Sequence, residues 1–183
     1  MAHKSSSAPH PQMNLPHPHD WRTTDADEIN KRRLRAQKES PKITNLDPGH
    51  TIFSNFRVSS GTGMSYTVEI RSLTQRLFSC TCVDFRINGL GTCKHVEATL
   101  FYLGARYPRL FSESQETVSP RIDVVPDHSF ETLCIERGMN GLPGRLRQLF
   151  SSDGRLRGME SEQALEQLRK AHNGNLRISQ DVA

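Results

Sequence analysis

Three of the four cysteines in this sequence lie within sixteen residues together with a histidine, and this cluster constrains the fold most. The stretch reads FSCTCVDFRINGLGTCKHVEATLFYL. Cys80 and Cys82 are one residue apart, as are Cys93 and His95, and ten residues separate the two pairs. Because side chains at i and i+2 of an extended strand project to the same side, Cys80 and Cys82 can direct two thiolates at one point.

The second pair of this cluster coincides with the predicted start of a helix. Apolar residues after it follow a helical spacing: Val96, Leu100, Leu103 and Tyr107. Thr92 is the expected N-cap, and Pro108 is expected to end the helix. The positive N-terminal end of a helix favours thiolate over thiol, which suits Cys93 as a metal ligand.

Three thiolates and one imidazole make a complete tetrahedral set for Zn²⁺, with bonds of about 2.3 Å to sulfur and about 2.0–2.1 Å to nitrogen. Soft donors favour zinc over magnesium or calcium, which prefer oxygen. A C-x-C disulfide would be strained, and a catalytic cysteine with His95 as its base would leave two thiols unexplained. Chance clustering of core cysteines would not also place a histidine beside them. We therefore expect one structural zinc ion with no open coordination position.

Strand and helix patterns surround the cluster. Residues 51–59 are rich in β-branched and aromatic residues, and residues 66–70 alternate between apolar and polar side chains. Short turns join these runs to each other and to residues 76–79, which predicts antiparallel hairpins. With the helix after Cys93 they form a ββα unit. A further helix is predicted for residues 25–39, ended by Pro41, since acidic residues lead and basic residues follow. Its arginines could reach phosphates, but we expect them to form a solvated face.

The ligand pattern, C-x-C then ten residues then C-x-H within a ββα segment, resembles the SWIM zinc finger. The flanking sequences FRVSSGTGMSYTVEI and CTCVDFRINGLGTCKHVEA, and the upstream KRRLRAQKES, are similar to the SWIM-containing N-terminal region of bacterial Swi/Snf-type DNA helicases. The resemblance covers residues 25–111. It implies that the zinc ligands are Cys80, Cys82, Cys93 and His95. It also implies an accessory module that contacts nucleic acid or protein.

Enzyme activity is not expected of this chain. It has no G-x-x-x-x-G-K-[ST] phosphate loop, so the helicase or ATPase activity of those relatives does not carry over. It also lacks a nucleophile elbow, and it has no pair of acidic residues flanked by glycines. Asp84 and His128 are the remaining candidates for catalysis, and both are predicted to be surface loop residues. No small-molecule substrate is predicted.

The distribution of charge favours an anionic partner for the first part of the chain. Nine basic and six acidic residues lie in 1–60, six and three in 61–110, and nine and eleven in 111–183. We expect contact with nucleic acid, DNA being favoured, through four cations near the ligands: Arg71, Arg76, Arg86 and Lys94. The alternative is a protein-interaction module that docks a helicase-type protein through a sheet edge, or through an amphipathic helix carrying Leu165 and Leu168.

The remaining sequence divides into a tail and an extension, so an α+β protein is predicted overall. Residues 1–24 are expected to be disordered because they contain four prolines and little apolar surface. The zinc-finger region spans 25–111, with a core of about 66–107. Residues 112–183 form a predicted α+β extension with strands at 121–125 and 130–136 and helices at 142–150 and 160–172. Cys134 in its second strand is expected to be a small buried residue.

No secretory signal or membrane segment is recognisable in the sequence. The first fourteen residues lack the apolar stretch of about 7–15 residues that such a signal requires. No run of apolar residues approaches the roughly 18 needed to span a bilayer. We therefore expect a cytoplasmic protein without membrane contact.

Overall fold

The structure is a computed structural model that describes residues 23–61, 63–129, 131–136, 139–170 and 175–182. Its elements in chain order are α1 (Asp25–Glu39), β1 (Lys42–Asn45), β2 (Asn55–Ser59), β3 (Ser65–Ser72), β4 (Leu77–Cys80), α2 (Val83–Ile87), α3 (Lys94–Arg106), α4 (Pro108–Ser114), β5 (Ile122–Pro126), β6 (Leu133–Ile135), α5 (Gly144–Arg147), α6 (Ser161–Lys170), β7 (Leu176–Ile178) and a 3₁₀ helix (Gln180–Val182). The predicted α+β class is confirmed. None of the helices in these ranges combines the length and apolar character that crossing a bilayer requires.

The first four strands form an antiparallel sheet in the order β1-β2-β3-β4. Alternation along the strands separates two faces, and the inner face carries four fully buried residues: Phe56, Val58, Val68 and Ile70. Helix α3 packs against this face, and α1 packs against α3. The first hydrophobic core therefore lies between the sheet and α3, and the cysteine cluster belongs to it.

Helix α1 has the predicted boundaries because both of its ends are capped. The Asp27 backbone N–H donates to the Thr24 hydroxyl at 3.2 Å, and the Thr24 N–H donates to the Asp27 carboxylate at 2.9 Å, which makes a capping box. At the other end, Ser40 adopts the left-handed conformation with φ 38°. The prediction of a helix over residues 25–39 is confirmed.

The second sheet has the order β6-β5-β7 and its own hydrophobic core. β5 pairs with β6 antiparallel and with β7 in parallel. Helix α6 buries Leu168 in this core, and Leu165 packs against the core from a half-buried position. The apolar face of α6 that was predicted to bind another protein therefore packs against the core of the second sheet.

The C-terminal residues connect the two sheets through hydrogen bonds between charged and polar side chains. The Ser179 hydroxyl donates to the fully buried Glu69 carboxylate at 2.6 Å and accepts from the Arg71 guanidinium at 3.0 Å. Arg177 on β7 donates to the Asp47 carboxylate at 2.6 Å, just beyond the end of β1. β7 and the 3₁₀ helix are thereby fixed against one end of the outer face of the first sheet.

Several elements differ from the predictions. β1, α2 and β7 were not predicted, and β2 begins at Asn55 although the strand pattern starts at residue 51. Pro108 starts α4 as well as ending α3, because proline suits the first turn of a helix. The helix predicted for 142–150 is shorter, as Gly144–Arg147. The helix predicted for 160–172 is found as Ser161–Lys170, and residues 171 and 172 lie outside the described ranges. Of the predicted disordered tail, residues 1–22 lie outside the described ranges.

Candidate metal centre

The four candidate ligands come from three adjacent pieces of the chain. Cys80 is the last residue of β4, Cys82 is the N-cap of α2, and Cys93 is the N-cap of α3, with His95 in the first turn of that helix. The predicted N-cap, Thr92, is therefore wrong by one residue. All four ligand side chains are buried.

The reversal between the two pairs depends on glycine. Gly89 and Gly91 have φ angles of 67° and 63°, a region that other residues rarely adopt. Asn88 stabilises this loop, since its side-chain amide donates to the Thr92 carbonyl at 2.8 Å and its oxygen accepts from the Leu90 N–H at 2.7 Å. The loop therefore returns Cys93 to the end of the hairpin that carries Cys80.

The geometry of the cluster fits one tetrahedral metal ion. One donor atom from each of the four residues lies within 4.8 Å of the other three. His95 Nδ1 is 3.8 Å from Cys80 Sγ and 3.9 Å from Cys93 Sγ. Tetrahedral zinc with ordinary bond lengths would separate nitrogen and sulfur by about 3.6 Å. The four side chains could therefore coordinate a single metal ion with little movement.

The three cysteines of the cluster form hydrogen bonds with one another, and these shift their pKa values. Hydrogen bonds from Cys80 and Cys93 lower the pKa of Cys82, and the hydrogen bond to Cys82 raises the pKa of Cys80. The hydrogen bond from Cys80 lowers the pKa of Cys93, but its bond to Cys82 and its burial raise that pKa to about 12. Because cysteine binds a metal as the thiolate, coordination by all three sulfurs would release protons from the cluster.

The His95 ring is positioned by stacking. The Tyr66 ring lies 4.3 Å from it, centroid to centroid, with an interplanar angle of 26°. The Thr99 hydroxyl donates to the His95 carbonyl at 2.9 Å and so supports the first turn of α3. His95 Nε2 is buried and has no hydrogen-bond partner among the residues that the structure describes. Metal-bound histidines usually have their second nitrogen fixed by a hydrogen bond. The contact that orients the His95 ring is instead the stacked Tyr66 ring.

A buried carboxylate two residues beyond His95 ties the surrounding elements together. Glu97 accepts from the Thr92 hydroxyl at 2.7 Å, from Arg33 of α1 at 3.0 Å and from Arg76 at 3.4 Å. The sequence did not identify Glu97, because its partners are distant in the chain or outside any motif.

Three of the four cations predicted to contact nucleic acid are engaged within the protein. Arg71 is buried and donates to Ser179 and Asp181. Arg76 pairs with Glu97, and the Lys94 ammonium donates to the Glu39 carboxylate at 2.6 Å. Arg86 on α2 is exposed, and no described residue forms an ion pair with it. These pairings follow from carboxylates on other elements, which sequence spacing could not place.

The arginines of α1 also have internal partners. Arg32 donates two hydrogen bonds to the Asp84 carboxylate on α2, at 2.6 and 3.1 Å. Arg33 pairs with Glu97 on α3, as described above. Asp84, predicted as a surface loop residue, therefore lies on a short helix that α1 holds in place. The two pairs link α1 to both helices that begin at a candidate ligand.

A cleft of about 840 Å³ lies beside the metal centre. Thr81 and Arg86 line it from the first sheet side, and His128 and Cys134 line it from the second. Cys134 is half-buried, its thiol donates weakly to the Pro126 carbonyl at 3.8 Å, and burial raises its pKa. It is not a member of the four-residue cluster.

Comparison with known proteins gives no relative for this arrangement. No family model, curated protein or solved structure matches the chain.

Proposed function

We propose that this chain is a zinc-binding, non-catalytic module of the SWIM type that contacts nucleic acid. The observation that carries the proposal is the buried cluster of three cysteines and one histidine. Thiolate and imidazole donors at tetrahedral spacing suit Zn²⁺ better than the hard cations, which require oxygen. When bound, the ion would supply a cross-link between the end of β4 and the start of α3.

The SWIM assignment is supported by where the ligands lie. The first pair follows the β3–β4 hairpin and the second pair opens α3, which is the ββα order that the resemblance implies. The helix α2 in the ten-residue spacer is an addition to that simple pattern. It begins at Cys82 and therefore depends on the same centre for its position.

A structural role for the ion is supported by the number and burial of its ligands. Four protein donors would complete a tetrahedral shell and leave no position for a reactive water. Binding would contribute directly to folding, because the three pieces of chain that carry the ligands must be held together. The same reasoning supports a module without enzyme activity.

Contact with nucleic acid is supported by the excess of basic residues before residue 111 and by exposed cations of the first sheet region. Arg57 on β2 and Lys42 on β1 are exposed, as is Arg86 on α2. Such contacts would be made mainly to phosphates, which gives strong salt dependence and weak sequence preference.

Docking of another protein is the second candidate, and one feature of α2 favours it. Val83 and Ile87 lie one helical turn apart on this helix, and they are 70% and 77% exposed. Exposed apolar pairs of this kind mark protein contacts more often than nucleic-acid contacts. Binding that persists at high salt would favour this candidate.

The ligand assignment is tested by metal content. We expect one zinc ion per chain in the purified protein, and loss of it in Cys82→Ser and in His95→Ala. Cys134→Ser is the matched control, since it removes a cysteine outside the cluster and should keep the metal. Inductively coupled plasma mass spectrometry of the dialysed proteins measures the zinc content per chain. Equal zinc content in all of the proteins would contradict the assignment.

Nucleic-acid contact is tested by the binding of labelled single-stranded and duplex DNA to the zinc-loaded protein at about 50 and 200 mM salt. We expect micromolar or tighter binding at the lower salt, a steep loss at the higher salt, and no binding by Cys82→Ser. Absence of binding at the lower salt would contradict this part of the proposal and direct attention to α2.

A further inference from the structure

The outer face of the first sheet is polar and largely open to solvent. Seven of its residues are here called the outer sheet face: Lys42, Thr44, Arg57, Ser59, Ser65, Thr67 and Thr81. Five of them are exposed, and Ser59 and Thr67 are half-buried. Five of the seven carry hydroxyl groups, two are cations, and none is acidic or apolar. The remainder of this side of the sheet, around Glu69, is covered by the C-terminal residues.

The strand register arranges part of this face in one row. Thr44 pairs with Arg57, and Arg57 pairs with Thr67. Thr67 and Thr81 exchange two hydrogen bonds, at 3.0 and 3.1 Å, which extends the row to the residue after β4. Adjacent strands are about 4.8 Å apart, so the row crosses about 14 Å of the sheet. Lys42 lies diagonally beside Arg57, opposite Ser59 in the neighbouring row.

The metal centre fixes one end of this row. Thr81 lies between Cys80 and Cys82, and its side chain is exposed while theirs are buried in the cluster. Thr81 and Arg86 line the same cleft, so the row leads from Arg57 towards a second exposed guanidinium. The carboxylates of Asp127, Glu136, Asp153 and Asp181 also line this cleft, so the surface free of carboxylates is the outer sheet face itself. Because α2 begins at Cys82, the same centre positions Thr81 and Arg86.

We propose that a nucleic acid lays its sugar–phosphate backbone across the outer sheet face, with phosphates at Arg57, Lys42 and Arg86. This inference rests on the proposed function and states where on the protein the nucleic acid would bind. Cations and hydroxyls without carboxylates are the groups that contact phosphates in protein–nucleic acid complexes. A protein interface would instead concentrate aromatic residues or methionine at its centre, and this face has neither.

This binding surface differs from the one that the sequence predicted. The cations nearest the ligands, Arg71, Arg76 and Lys94, already have carboxylate partners, and a phosphate would have to displace those partners. Arg57 and Lys42 form no ion pair with any residue of the described ranges. Their charge is therefore available to a ligand without the cost of breaking an internal contact.

The test is the salt dependence of DNA binding by zinc-loaded variants. We compare Arg57→Ala, Lys42→Ala and Arg86→Ala with Arg145→Ala, which removes an exposed arginine of α5 and serves as the control. Loss of one phosphate contact lowers the slope of log K against log salt by about one. The loss of one contact therefore lowers the binding constant about tenfold at 0.1 M salt. We expect this change in Arg57→Ala, Lys42→Ala and Arg86→Ala and no change in the control.

A second measurement keeps the inference testable if a variant loses zinc or does not fold. Bound DNA should slow the chemical acetylation of Lys42 in the unaltered protein but not that of Lys170, an exposed lysine of α6. Unchanged binding by Arg57→Ala and Lys42→Ala, or equal labelling of Lys42 with and without DNA, would contradict the outer sheet face as the binding surface. The proposed function would still stand. Failure of the unaltered protein to bind DNA at 50 mM salt overturns both.

Discussion

At the scale of single residues, the contact between Tyr66 and His95 determines how well the metal centre is preorganised. The imidazole presents Nδ1 to two sulfurs, and its other nitrogen has no hydrogen-bond partner among the described residues. Rotation of the ring is therefore resisted by the stacked Tyr66 ring and by packing. A ligand held by stacking tolerates loss of the tyrosine hydroxyl but not loss of the ring.

We expect Tyr66→Ala to weaken zinc binding about tenfold, because a freed imidazole must be reoriented when it binds the ion. Tyr66→Phe keeps the stacked ring and should bind zinc as the unaltered protein does. Competition with a chromophoric chelator measures both affinities. Equal affinities in Tyr66→Ala and Tyr66→Phe would show that stacking does not position the histidine.

The residues of this centre were predictable to different degrees. Cys80, Cys82, Cys93 and His95 follow a local spacing that metal chemistry restricts, and the structure brings their side chains together. Glu97 illustrates the opposite case. Its partners come from α1, from the end of the loop and from the turn before β4, so its role exists only once the tertiary structure has formed.

At the scale of elements, the short strand β7 supplies a largely buried ion pair that links the second sheet to the first. Arg177 donates two hydrogen bonds to Asp47, at 2.6 and 2.8 Å, and both side chains are largely buried. Burial raises the pKa of the Asp47 carboxyl, but the hydrogen bonds and charge of Arg177, with a contribution from His50, lower it below its usual value. The pair is therefore fully formed at neutral pH.

We expect Arg177→Ala to lower the free energy of unfolding of the zinc-loaded protein by about 2 kcal/mol at pH 7, since it leaves a buried carboxylate without its charged partner. Urea unfolding followed by circular dichroism measures the change. Arg109→Ala is the control, because Arg109 pairs with Glu113 on the exposed surface of α4, where such pairs contribute less than about 1 kcal/mol. Equal effects of the two substitutions would contradict the role given to β7.

The elements that the sequence predicted well are those whose evidence is local. α1 has a charge gradient and a capping residue, and α3 has an apolar stripe of three residues that continues to its C-cap, Tyr107. β1, α2 and β7 are three to five residues long, and no periodicity can be read from so few positions. Their existence depends on pairing with β2, on the ligand Cys82 and on pairing with β5, which the sequence alone does not reveal.

At the scale of the whole molecule, the two hydrophobic cores differ in whether they contain residues of the candidate metal cluster. The core between the first sheet and α3 includes Cys80, Cys82 and Cys93 themselves. The core of the second sheet contains no residue of the cluster. Side-chain hydrogen bonds of the C-terminal residues join the two, chiefly around Glu69 and Asp47. Removal of the ion should thus act on the first core and reach the second through these bonds.

We expect chelation of zinc to increase amide hydrogen exchange most in β3, β4 and α3 and less in β5, β6 and α6. The reason is that structural zinc contributes about 10–16 kcal/mol in small zinc domains, which exceeds the stability of most single cores of this size. The second core should keep part of its protection, because its packing does not involve the ligands. Exchange measured by mass spectrometry before and after addition of EDTA, with zinc-saturated EDTA as the control, resolves these segments. A uniform loss of protection would mean that the two cores unfold together and that the C-terminal contacts transmit the whole effect.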